Sequence, residues 1–187
     1  MLSTILASRA QALLVLGLLL VGFGPARPPV VAQPLRSPID TDQDWRQALV
    51  GRWDCRGVNT LGGKGKAPYM GILNNQWVPG RPWLRLDFAE QRAQGKPMQE
   101  QQLWEATSAD GTHRRTLLTN DGIWGVVTSP GPQGNVMRWE GSFGDMALSE
   151  TITWISANKH RWYGELTRGT EHIGYYQLTC TRIASQS

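Results

Sequence analysis

From Val50 to near the C-terminus the chain alternates apolar and polar residues in short runs, and nine clusters of turn-forming residues interrupt them. The clusters are LGGKGKAP, PGRP, AQGKP, ADGT, NDG, SPGPQGN, FGD, SANK and RGT. Gly, Asn and Asp tolerate the backbone angles of tight turns and Pro ends a hydrogen-bonded ladder, so each cluster closes one strand and opens the next. Nine such breaks bound ten strands. They recur mostly every 10 to 15 residues, too close for the helical crossovers that parallel neighbours need, so the strands form an antiparallel meander. Asn120-Asp121-Gly122 is the clearest hairpin among them. A meander of this length with no helix to cover it exposes two unpaired edges, and closure of the first strand on the last removes both. The sequence therefore predicts an all-β chain: a closed up-and-down antiparallel β-barrel of about ten strands. Trp45, Ala48 and Leu49, at helical spacing behind a run of acidic residues, add a short capped helix from about Asp42 to Leu49.

Residues 12 to 24, ALLVLGLLLVGFG, form an unbroken apolar run after a short segment holding Arg9 and no acid. Charged start, apolar middle and small residues at a cleavage point make the plan of a secretory signal peptide. The run is too short to span about 30 Å of hydrocarbon as a helix, so no membrane span is expected after cleavage. Val30 and Ala32 put the expected cut before Gln33, with the bond after Ala26 as second choice. The expected organisation is a signal peptide over 1–32, a linker over 33–44 and a barrel domain over 45–187. The expected location is periplasmic or extracellular. Of the net charge of +4, Arg9 and Arg27 contribute two, so the mature part lacks the basic footprint of a nucleic-acid binder.

An exported chain matures where disulfides persist, and its two cysteines, Cys55 and Cys180, allow one intramolecular pairing. In the first strand Leu49, Gly51, Trp53 and Cys55 share a face that must point inward, because Arg52, Asp54 and Arg56 share the other. In the last strand His172, Gly174, Tyr176, Leu178, Cys180 and Arg182 share the face of the second cysteine. If the barrel closes with Cys55 opposite Cys180, antiparallel register puts Trp53 directly opposite Arg182. A guanidinium stacked on an indole contributes about 0.5–2 kcal/mol.

Gly51-Arg52-Trp53 after a short helix, with Arg182 near the chain end, resembles the lipocalin and fatty-acid-binding barrel superfamily, in which such a Trp and Arg close the barrel base. The layout LVGRWDC, NNQWVPGRPWLRLDF and WEATSADGTHRRTLLTNDG is similar to exported bacterial lipocalin-like domains of unknown function, over most of residues 45 to 183. The resemblance implies an internal cavity for a small, partly apolar molecule and no shared catalytic machinery.

Tryptophan occurs in nearly every expected strand, at 53, 77, 83, 104, 124, 139, 154 and 162. Phasing each strand with its Trp inward gives a candidate ligand-binding wall of Trp104, Trp124, Trp139, Trp154 and Trp162, with Glu100, Gln102, Glu150 and Tyr176 as polar groups that orient a ligand. In the third strand the interior is assigned to Leu84, Leu86 and Phe88 rather than to Trp83, Arg85 and Asp87. Trp53 and Arg182 are structural, as is the Cys55–Cys180 bridge.

His113, His160 and His172 fall in different elements, so no metal site is expected, and no Gly-x-Ser-x-Gly nucleophile elbow exists. Glu100 and Glu150 leave paired-carboxylate chemistry formally open, but the expectation is a non-catalytic protein without a cofactor. One alternative is a haem barrel of the nitrobindin kind, with His172 as proximal ligand; another is a ligand-free barrel that presents its outer face to an envelope partner. The sequence names no protein partner. Arg114 and Arg115 beside His113 read as an exposed hairpin shoulder.

Overall fold

A computed structural model describes residues 44–61, 65–91, 97–105 and 107–184. The expected signal peptide, its cleavage site and all of the linker but Asp44 lie outside these residues.

The strands are β1 Gly51–Asn59, β2 Ala67–Trp77, β3 Leu84–Glu90, β4 Gln99–Trp104, β5 His113–Thr119, β6 Trp124–Ser129, β7 Pro132–Gln133, β8 Val136–Phe143, β9 Met146–Ser156, β10 Lys159–Arg168 and β11 Glu171–Arg182. Ten of them pair antiparallel with their sequence neighbours, and β1 pairs with β11 to close the barrel. Each of the nine turn clusters falls between consecutive barrel strands. The two-residue β7 was not expected; it folds the SPGPQGN cluster back on β8 through Pro132↔Met137 and Gln133↔Val136.

β1 and β11 meet in the register deduced from the cysteines: Cys55↔Cys180 and Trp53↔Arg182. The disulfide is formed, and the Arg182 guanidinium lies 4.1 Å from the Trp53 ring centroid. Arg182 Nη2 also donates to the Ala48 carbonyl at 2.8 Å, and Nη1 donates to Val50 O. The glycine of the Gly51-Arg52-Trp53 motif is required twice over. Its φ is +122°, and a Cβ there would lie 2.7 Å from Arg182 Nη1.

The expected helix is a five-residue 3-10 turn, Trp45–Leu49, capped by the Asp44 carboxylate. It plugs one end of the barrel. Leu49 is fully buried, its carbonyl accepts from Trp53 Nε1 and Asn75 Nδ2, and Trp45 packs on Trp104 and Trp154 at 5.5 and 6.1 Å. Four tryptophans, Trp53, Trp104, Trp139 and Trp154, are almost wholly buried in the core. β3 turns Leu84, Leu86 and Phe88 inward, as its apolar alternation predicts.

Two expectations are corrected. Trp124 is 62% exposed and points outward, not into the lumen. The NDG hairpin pairs Leu118 with Trp124 and Leu117 with Gly125, so burying Leu117 forces Trp124 to the outer face. The inward position beside it is Gly125, where a Cβ would lie 2.2 Å from Ser142 O of β8. Arg115, read as exposed, is fully buried; it shares the inward face of β5 with Leu117.

Candidate functional site

Among the described residues, the end opposite the 3-10 plug holds a cavity that reaches the surface. An apolar vestibule of about 270 Å³, lined by residues such as Leu61, Ile123, Met146 and Ile173, leads through Tyr69, Met98, Phe143 and Leu166 to an inner chamber of about 70 Å³. The disulfide, Phe88, Leu117 and Leu148 form apolar walls of the chamber, and Glu100, Gln102, Glu150 and Tyr176 are its polar groups. Together the two volumes sit at the lower end of the range of about 300–1,000 Å³ typical of small-molecule sites. A wider groove of about 600 Å³ lies around Ser129, Gly131, Gln133 and Arg138, where Gln133, Arg138 and Glu140 are exposed to solvent.

Beneath the chamber lies a buried charge cluster. The Arg115 side chain pairs with Glu150 Oε1 at 2.6 Å, and both side chains are essentially inaccessible. Its guanidinium carbon stands 4.7, 5.3 and 5.7 Å from the ring centroids of Trp139, Trp104 and Trp162. Nε and Nη2 of Arg115 have no hydrogen-bond partner, so the π faces take the place of acceptors around this cation. Glu150 Oε2 accepts from the Tyr176 hydroxyl. This contact crosses β10 at Gly164, which pairs with Tyr176 on one side and Glu150 on the other. A Cβ at Gly164 would lie 2.3 Å from Tyr176 Cζ, so the glycine opens the space through which the phenol reaches the carboxylate.

A second chain of polar contacts runs along β4. Trp104 Nε1 donates to Gln102 Oε1 at 3.0 Å, Arg115 Nη1 donates to the same oxygen at 3.4 Å, and Gln102 Nε2 donates to Glu100 Oε1. Burial raises the Glu100 pKa to about 7, with the Glu150 charge adding to the rise and Gln102 and Arg115 opposing it. The Tyr176 hydroxyl is pushed well above its ordinary value, first by burial and then by the two carboxylates. It remains a donor throughout the physiological range.

Five of the nine expected ligand-binding residues, Glu100, Gln102, Glu150, Trp162 and Tyr176, line the inner chamber. Trp104 and Trp139 lie one layer deeper and hold Arg115, while Trp154 packs against Trp45 at the plugged end. Trp124 is outside. Arg115 was missed, although two inward carboxylates required a cation nearby and Arg115 stands two positions from Leu117 on the same face. His172 is exposed at the start of β11 and does not line the chamber. His160 is buried edge-on to Trp53, 4.3 Å between centroids, with neither ring nitrogen hydrogen-bonded. Among the described residues no group of His, Cys, Asp and Glu is placed to hold a metal ion.

No family model matches the chain, and no curated protein matches it. Solved structures do. The crystal structure of Rv2717c from M. tuberculosis aligns with a TM-score of 0.63 at 18% identity, over 78% of this chain and 99% of that one. The S-type phycobiliprotein lyase CPES from Guillardia theta aligns with a TM-score of 0.55 at 10% identity, over 75% of this chain and 91% of that one. At these identities the likeness is one of fold alone: a closed antiparallel β-barrel.

Proposed function

We propose that this protein is an exported, non-catalytic binding barrel that holds a small, partly apolar molecule in its lumen. The observation that carries this reading is the pair of connected cavities, apolar at the mouth and polar at the floor, in a barrel plugged at its other end. The disulfide supports export, since such bridges persist in oxidising compartments, and the signal-like run over residues 12 to 24 supports it independently. Among the described residues no helix is long and apolar enough to cross a membrane. One fold neighbour is named a lyase. The interior here favours binding over turnover, because Glu150 is held by Arg115 and Tyr176.

Native mass spectrometry of the protein recovered in exported form from its own host tests this directly. A chain beginning at Gln33 with an additional bound mass of small-molecule size is the expected result. An intact N-terminus in the membrane fraction would contradict export, and a bare mass with no uptake of added apolar probes would contradict binding. The second reading, a barrel that works through its outer face, draws on the exposed cross-strand pair Leu118 and Trp124. Under that reading Trp124→Ser would abolish partner capture with no lumen ligand involved.

A further inference from the structure

Among the described residues the polar floor of the lumen holds a Glu100 carboxylate oxygen that neither a hydrogen bond nor an ion pair engages, and its charge balance opposes anions. Both oxygens of Glu150 are engaged, by Arg115 and by Tyr176. Gln102 Oε1 accepts twice, and Gln102 Nε2 donates to Glu100 Oε1. Among the described residues Glu100 accepts its one hydrogen bond at Oε1 and none at Oε2, and Glu100 lines the chamber. Two carboxylates thus face a single cation. Arg115 offers a ligand nothing, because its remaining nitrogens are closed off by the faces of Trp104, Trp139 and Trp162. A ligand carboxylate entering this floor would meet Glu100 and Glu150 with no cation free to receive it. A ligand ammonium would meet an unpartnered carboxylate oxygen, with apolar walls above it for a hydrocarbon or ring.

Resting on the reading of the lumen as a binding site, we infer that its ligand is an apolar amine or a similar cationic donor, whose nitrogen docks on Glu100 Oε2 while its apolar body fills the vestibule, and that the barrel discriminates against carboxylates. Fatty acids are thereby excluded, even though an arginine lies within the barrel.

The groups around Glu100 make the preference depend on pH. Arg115 from β5, Glu150 from β9, Tyr176 from β11 and Gln102 on its own strand face it, and on β3 the Glu90 carboxylate accepts from the Met98 amide near the same end. Glu100, raised to about 7 by burial, changes charge near neutrality. An amine, charged at all these pH values, needs Glu100 ionised, so its affinity rises from pH 5.5 to pH 8. An uncharged alcohol gains nothing over that range.

The test uses three probes of one chain length, octylamine, octanoate and octanol, titrated by calorimetry into the mature protein with its disulfide intact. One charge-assisted hydrogen bond corresponds to roughly tenfold or more in affinity. Octylamine is expected to bind at least about tenfold more tightly than octanoate at pH 8, with octanol between them and with the amine alone strengthening from pH 5.5 to 8. Glu100→Gln keeps the shape of the side chain and is expected to erase the advantage of amine over alcohol while leaving octanol affinity within about twofold. Octanoate binding as tightly as octylamine, or an amine preference that survives Glu100→Gln, overturns the inference and leaves the binding barrel standing. Binding of none of the three probes overturns both.

Discussion

The buried pair between Arg115 and Glu150 permits a quantitative perturbation. Replacing Arg115 by Met keeps an unbranched apolar stem but removes the guanidinium from a site with no solvent access. Glu150 is then left buried with Tyr176 as its donor and with Glu100 in the same chamber. Breaking one side of a buried ion pair costs about 3–5 kcal/mol. The three lost ring contacts add to this, and methionine packing against the indoles offsets part of it. A loss of about 4 kcal/mol is therefore expected for Arg115→Met at pH 8. The deficit shrinks on acidification, because a carboxylate stranded in the core has a raised folded-state pKa and is stabilised relative to the unfolded chain as pH falls through it. Adding Glu150→Gln removes the stranded charge and keeps an acceptor for Tyr176, so the double variant is expected to recover about 2 kcal/mol of that loss. Urea unfolding at 25 °C followed by tryptophan fluorescence measures all three proteins, with an unchanged slope confirming a common unfolding reaction. If Arg115→Met stays within about 1 kcal/mol of the parent, or the double variant is no more stable than the single one, Arg115 is not the electrostatic centre of the core described above.

Three further outcomes follow from the same geometry. Arg182→Lys loses the stacking plane on Trp53 and one of the paired donations to the plug carbonyls, so it is destabilising, and a double-mutant cycle with Trp53→Phe gives a coupling of about 0.5–2 kcal/mol; strict additivity would exclude the contact. Reduction of Cys55–Cys180, whose ends are 125 residues apart, lowers stability by up to about 4–5 kcal/mol in the chain-entropy account, and equal unfolding midpoints with and without reductant would refute it. His160, held to about 3 by burial and then by the Arg182 charge, stays neutral in the fold while the unfolded chain protonates below about 6.5. Its contribution is therefore lost as pH falls from 6.5 towards 3, whereas Glu100, raised to about 7, adds stability as pH falls from 7 towards its ordinary 4.5. The stability of the parent relative to His160→Phe isolates the first effect and should fall by roughly 2–3 kcal/mol between pH 7 and pH 4; a pH-independent difference would contradict the burial of a neutral imidazole.

The ladder architecture was legible because each turn cluster acts locally, through residues that end strands whatever their surroundings. The closing register was legible for a different reason: one covalent pairing and strict alternation determine every other opposed pair, which is how Trp53 and Arg182 were placed together. The phase of β5 and β6 was not legible from either signal. HRRTLLT offers leucine to both faces, and in WGVVTS the tryptophan competes for the interior with a glycine. There the packing of neighbouring strands decides, since only a glycine fits at the crossing of Gly125 with β8. Arg115 was hidden by the same ambiguity and by the general rarity of buried arginine, although the two inward glutamates called for it. On β9 the chamber face was legible because Leu148, Glu150, Ile152 and Trp154 alternate with Ser149, Thr151 and Thr153, whereas β4 and β11 were phased by Trp104 and by Cys180.

The central claim, a lumen that admits a ligand through the apolar mouth, is tested most directly by titrating an apolar probe while following tryptophan fluorescence in the parent and in Leu166→Trp. Leu166 lines both the vestibule and the chamber, so the larger side chain obstructs the passage between them, and Trp162 on the chamber wall reports occupancy. The account predicts a saturable change with one site per chain in the parent and its loss in Leu166→Trp. A parent that does not respond, or a variant that binds the probe as well as the parent does, would contradict it.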